Sequence, residues 1–222
     1  MPSLKPLLNL FLKPTCPLCE RSAEGVFCRD CWRRVQRCQV ESLSRFWQEP
    51  LPLLPWGLYG GALKQAIAAL KYDKQRAVAR PLGHGLGQAW RMAAIACPPL
   101  TVVPIPLHVD KQKQRGFNQA ALLAEAFCQV SRLPLCPEGL VRVRATEAQF
   151  SLSSGARLEN LADAFRVGEG LRRRPLRGSV LLLDDIFTTG ATIQAAAQCL
   201  QQQQIAVFGV VAIAVAGRAD AA

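Results

Sequence analysis

The chain predicts an α/β fold, a mostly parallel sheet covered by helices on both faces, with a small module in front of it. Three stretches carry that expectation. Val180–Leu183 and Ile205–Val215 are apolar runs without polar alternation, as strands buried on both faces of a parallel sheet are. Between them, TTGAT at Thr188–Thr192 reads as a turn entering a helix-patterned segment that ends at Gln201–Gln204. Near the start, CPLCERSAEGVFCRDC spaces four cysteines as C-x2-C-x8-C-x2-C.

Bulk properties bound the rest. A chain of 222 residues holds one ordinary α/β domain with something small attached, or two modest domains. The balance of 27 Lys+Arg against 16 Asp+Glu gives a net charge of +11, which favours polyanionic partners without proving any. No segment approaches the roughly 18 to 20 apolar residues of a membrane span. In MPSLKPLLNLFLKPT, Pro6 and Asn9 break the apolar run and no small-residue cleavage site follows, so a secretory signal is not expected. Nine cysteines, four of them in a metal-like pattern, suit a reducing cytoplasm.

Taken in order, the first element is the cysteine module, residues 1–47. Each C-x2-C folds as a knuckle whose thiolates share a centre, so Cys16, Cys19, Cys28 and Cys31 predict a tetrahedral structural zinc site with no position left for water. The short spacing between the pairs predicts a ribbon-like module. Two alternatives stand beside zinc: a redox C-x2-C at a helix start in a βαβ unit, and paired disulfides. Arg29, Arg33, Arg34, Arg37 and Arg45 stud the module, with Trp32, Phe46 and Trp47 interleaved. That mixture suits a single-stranded nucleic acid, phosphates on cations and bases on rings. It equally suits rings that dock the module onto the main domain under solvated arginines.

EPLPLLPWG has three prolines in nine residues and predicts a linker over 48–57, ahead of a main domain over 58–222. Leu63, Ile67 and Leu70 mark one helix and Leu82, Leu86 and Trp90 another over Leu82–Ala96; His84, between glycines, reads as a helix-start or turn residue. LTVVPIPL is a strand whose Pro104 and Pro106 stiffen its carboxyl end. Lys111, Lys113 and Arg115 follow in an expected loop, cations that suit a pyrophosphate, before a helix capped by Asn118. Val141–Phe165 starts like an exposed strand and continues as a polar loop with Thr146, Gln149, Ser151, Ser153, Ser154 and Gly155, then Arg157 and Asn160 on a helix. Arg172, Arg173, Arg174 and Arg177 are either a solvated turn or an extension of a basic track.

The chemistry concentrates after Leu183. Asp184 and Asp185 end a buried strand, at the sheet edge where ligands bind in open α/β folds. Thr188, Thr189, Gly190, Ala191 and Thr192 offer hydroxyls, a close backbone approach and a helix N-terminus to a phosphate. Two carboxylates beside a phosphate need another task, and sugar hydroxyls provide it. Acids that merely cap the helix are the plainer alternative.

DDIFTTGAT resembles the signature of type I phosphoribosyltransferases. The resemblance implies that Asp184 and Asp185 hold the ribose of phosphoribosyl pyrophosphate, that Thr188–Thr192 cradle its 5′-phosphate, and that the segment around Thr146–Asn160 closes over the pyrophosphate. With the cysteine knuckles, LKY at Leu70–Tyr72, VPIPL at Val103–Leu107 and RGFNQ at Arg115–Gln119, the whole chain resembles the ComF family of phosphoribosyltransferase-like proteins associated with bacterial natural competence. That implies a protein handling single-stranded DNA during natural transformation, with phosphoribosyl pyrophosphate and Mg2+ bound through Pro104, Arg115 and the Asp184–Thr192 stretch. Contact with DNA-uptake proteins, and a place at the periphery of the inner membrane, are further implications. The alternative is an active phosphoribosyltransferase that passes ribose 5-phosphate to a nitrogen acceptor and releases pyrophosphate.

Overall fold

The computed structural model describes residues 14–42, 46–48, 51–144, 163–173 and 178–216. The expected loop with Thr146, Gln149, Arg157 and Asn160 lies outside them, as do Arg45, Arg174 and Arg177.

Among the described residues the main sheet has four strands in the order β1-β6-β5-β2, every neighbouring pair parallel. They are β1 (Leu53–Leu58), β2 (Leu100–Pro104), β5 (Ser179–Phe187) and β6 (Val207–Val215). Alternation along the strands feeds two cores. Leu181, Leu183, Val211 and Ile213 face α2 (Gly61–Tyr72), α3 (Ala79–Ala93) and α5 (Gln119–Ser131). Val180, Leu182, Val210 and Ala212 face α7 (Ala191–Gln201) and a two-stranded ribbon, β3 (Leu140–Arg142) with β4 (Phe165–Val167), followed by the short α6 (Glu169–Arg172). Burial on both faces explains why β5 and β6 lack polar alternation.

Helix α3 begins and ends three residues before the expected Leu82–Ala96, with Ala94 terminating it in a left-handed conformation. It lies tightly on α5, because a Cβ at Gly83 would come within 2.6 Å of Ala126 Cβ and one at Gly87 within 2.8 Å of Val130 Cβ. His84 is inside α3 and its Nε2 meets Gln129 Oε1 at 3.0 Å, a helix-to-helix contact instead of a turn.

Three expectations need correction. The proline-rich stretch 48–57 is not all linker: Leu53–Leu58 is a buried strand at the sheet's edge. Pro55 is tolerated because an edge strand leaves one side unpaired, and Leu53, Leu54 and Trp56 all have a core to enter. Consequently β6 is an inner strand. Lys111, Lys113 and Arg115 sit on a short helix, α4 (Val109–Arg115), not in a loop. His108 starts it and Gly116, at φ 81°, stops it.

The cysteine module is not a plain ribbon either. Its second knuckle runs straight into α1 (Arg29–Gln36), which buries Cys31 and Val35 one turn apart. The module's core is continuous with the α2–α3–α5 side of the main domain. Its exit covers the free edge of β1: Leu58 N donates to Cys38 O at 2.7 Å and Val40 N to Trp56 O at 3.2 Å. Covering an edge in this way satisfies ladder groups that would otherwise invite another strand.

Candidate functional site: a four-thiol centre and an acid pair

The thiols of Cys16, Cys19, Cys28 and Cys31 lie within 4.8 Å of one another, and Cys19 Sγ is 3.6 Å from Cys28 Sγ. Zn–S bonds of about 2.3 Å in a tetrahedron place sulfurs about 3.8 Å apart, so the donor set is compatible with a structural zinc site. All four are free thiols. Cys28 and Cys31 do open a helix, as a redox pair would, but all four sulfurs share one centre and a knuckle precedes the helix. Burial pushes Cys31 up to about 12. Hydrogen bonding from the backbone and side chain of Arg21 draws Cys19 down to about 6. A divalent cation would hold the set as thiolates and release their protons.

At the other centre, β5 continues through the acids to Phe187, so Asp184 and Asp185 are strand residues whose side chains alternate. Asp185, 4% exposed, leans to the α2 side, where Lys71 Nζ lies 2.5 Å from its Oδ2. Asp184 pairs across β6 with Ala212, on the side of the β3–β4 ribbon, and interacts with Arg142 there. Burial, then the neighbouring charge of Asp185, pushes the Asp184 carboxyl well above the usual carboxylate range. Each acid also accepts from the next backbone amide, Asp184 Oδ1 from Asp185 N at 2.8 Å and Asp185 Oδ1 from Ile186 N at 2.9 Å.

Beyond Phe187, Thr188 and Thr189 are exposed and Gly190 is buried. Gly190 caps α7 at φ 78° with no side-chain bond, and a Cβ there would come within 2.7 Å of Phe187 Cζ. Glycine is thus required twice over, by conformation and by space. The first bond inside α7 runs from Gln194 N to Gly190 O. The amides of Ala191, Thr192 and Ile193 therefore face outward without intrahelical acceptors, although Thr189 Oγ1 stands 3.5 Å from Ala191 N.

The other motifs arrive at this edge. Ile105, just past β2, donates its amide to Leu183 O at 2.9 Å, and Asn118 Nδ2 donates to Ile105 O at 3.0 Å. Asn118 also caps α5 as expected, its Oδ1 accepting from Ala120 N. Arg115 donates to buried Gln119 and lies over the Tyr72 ring, 5.6 Å from its centroid. Pro104 is buried at the end of β2, in register with Leu183 of β5. Sequence pattern alone assigns no role to Lys71, Tyr72 or Arg142. Lys71 does carry a signal, since it stands four residues after buried Ile67 on the core-facing side of α2. A cavity of about 790 Å3 lined by Pro99, Leu100, Leu133, Leu135 and Leu171 opens at the opposite end of β2, far from these motifs.

Fold and site together define an α/β protein with an uncapped helix start and an acid pair at the carboxyl edge of its sheet, fronted by a four-thiol module. No family model matches the chain. It is 28% identical over 212 residues to Competence protein F of Haemophilus influenzae, covering 91% of this chain and 92% of that one. It is 32% identical over 164 residues to DNA utilization protein YhgH of Salmonella typhi, covering 71% and 70%. It is 28% identical over 192 residues to Competence protein ComFC of Bacillus subtilis, covering 85% and 72%. The chain belongs to the ComF family.

Proposed function

We propose that the carboxyl edge binds phosphoribosyl pyrophosphate with Mg2+ on a type I phosphoribosyltransferase-like domain, and that the protein serves competence or DNA utilization by handling single-stranded DNA in the cytoplasm. One observation carries the reading: the acid pair and the open first turn of α7, from one stretch of chain, meet Arg115, from another, at one edge of the sheet. The 5′-phosphate takes the amides of Ala191–Ile193 with the hydroxyls of Thr188, Thr189 and Thr192. Asp184 and Asp185 accept from the ribose hydroxyls, with Lys71 fixing the Asp185 side chain through their ion pair. The pyrophosphate extends toward Arg115, and a Mg2+ ion bound with it would offset its negative charge.

The relatives' names, competence and DNA utilization, support the DNA-handling half. Turnover is the second reading, since a bound phosphoribosyl group needs only a nitrogen acceptor to react. Isothermal calorimetry with phosphoribosyl pyrophosphate and Mg2+ tests the site. Binding by the native chain and none by Asp184→Asn/Asp185→Asn is expected. Equal affinity in both would remove the assignment.

A further inference from the structure

The module's tryptophans are committed to packing. Trp32 stacks on Phe27 at 5.7 Å and on Trp56 at 6.2 Å, and Trp47 abuts Trp90 and Phe208. Arg33, Arg34 and Arg37 remain exposed, but the tryptophans near them are engaged with other aromatic rings.

Tyr72 has the opposite situation. It ends α2 with 73% of its surface exposed and the Arg115 guanidinium over its ring. The turn after it carries exposed Lys74 and Arg76. Arg76 is fixed in place, its Nη2 donating to Gly116 O at 3.3 Å and its guanidinium lying 4.7 Å from the Phe117 centroid. Lys111 stands one turn before Arg115 on α4, a helix on which Lys113 is also exposed. The acids of the same two stretches are Asp73 and Asp110, and Asp110 Oδ2 is 3.3 Å from His108 Nδ1. Cations therefore dominate a surface whose centre is a solvent-exposed ring.

We propose that this surface, and not the arginines of the cysteine module, seats a single-stranded nucleic acid, with a base stacked on Tyr72 and phosphates on Lys74, Arg76, Lys111 and Lys113. One exposed ring flanked by cations offers what a base and its neighbouring phosphates need. A duplex keeps its base faces stacked inside and has nothing to offer the ring. Arg115 lies on the border between the strand and the acid-pair site, so the strand passes directly beside that site. The inference rests on the DNA-handling half of the proposed function and is independent of the phosphoribosyl half.

Fluorescence anisotropy of the full chain with labelled oligothymidylate tests it, circular dichroism confirming that each variant folds. Tyr72→Ala weakens binding by about tenfold and Tyr72→Phe retains it, as expected for one stacked base. Lys111→Gln/Lys113→Gln lowers the salt slope by about 0.7 for each phosphate that the variant no longer neutralises. Arg33→Gln/Arg34→Gln leaves affinity unchanged. Loss of affinity in the Arg33/Arg34 variant with Tyr72→Ala unaffected would overturn the placement. Equal competition by polyglutamate would overturn it in favour of an acidic protein partner. Failure of the native chain to bind the strand at all would overturn both this inference and the DNA-handling reading, while leaving the calorimetry of the sugar phosphate to stand or fall by itself.

Discussion

Four thiols converge in the N-terminal module and two carboxylates at the end of β5, and the two clusters differ in where their counter-charge comes from. The thiols lie within 4.8 Å of one another, with exposed Arg21 at their rim. A side chain that open to water neutralises little, so a bound metal would have to supply the balancing charge of four thiolates. Asp185 has Lys71, delivered by a helix from a distant part of the chain and itself mostly buried. The first centre is local chemistry that organises a module too small for a core of its own. The second is built by tertiary structure, so its chemistry depends on α2 staying docked.

The contrast is broken most forcefully at the thiols. Cys28→Ser removes one of four ligands, and structural zinc contributes about 10–16 kcal/mol of apparent binding energy in small modules. Elemental analysis should find zinc near one per chain in the native protein and none in the variant, with loss of the packing of Trp32 on Trp56 visible in near-ultraviolet dichroism. Stoichiometric zinc in the variant would show that the four cysteines do not act as a set.

At the acid pair the effect is smaller and purely electrostatic. Lys71→Met leaves the Asp185 charge buried without its partner, a loss of about 3–5 kcal/mol read from the denaturant midpoint. Lys71→Met/Asp185→Leu should recover much of it, since a well-packed apolar pair substitutes for a buried ion pair. If the single variant were as stable as the native chain, Lys71 would not be the counter-ion.

The smallest effect is a pH slope. Because the folded Asp184 carboxyl binds its proton more tightly than the unfolded one, the folded state holds more protons once pH exceeds about 4. Stability therefore declines as pH rises through the window between the unfolded value and the raised folded one. Asp184→Asn should flatten that decline in denaturation curves collected across pH. An identical slope in the variant would place the burden on another group.

The same contrast explains what could be read from the chain. The cysteine centre follows from spacing alone, because a knuckle is a local structure. Strands β5 and β6 announce themselves by unbroken apolar runs, and Asn118 by its place before a helix. By contrast, β1 hides among prolines, since only its position at an edge makes Pro55 acceptable, and an edge is a property of the whole sheet. The helix α4 was concealed by its cations, which bury nothing. Lys71 could be recognised as a misplaced charge on the core-facing side of α2, but its partner could not. Nor could composition distinguish Trp32, packed between two rings, from Tyr72, left in solvent: both are aromatics among cations, and only the fold separates them.

A crystal structure of the chain with phosphoribosyl pyrophosphate and Mg2+ decides whether the acid pair and the α7 turn hold one sugar phosphate. The expected complex has ribose hydroxyls within about 3 Å of the Asp184 and Asp185 side-chain oxygens and the 5′-phosphate on the amides of Ala191–Ile193. A ligand seated in the cavity beside Leu100 and Leu171, with both acids bonded only to protein, would contradict it.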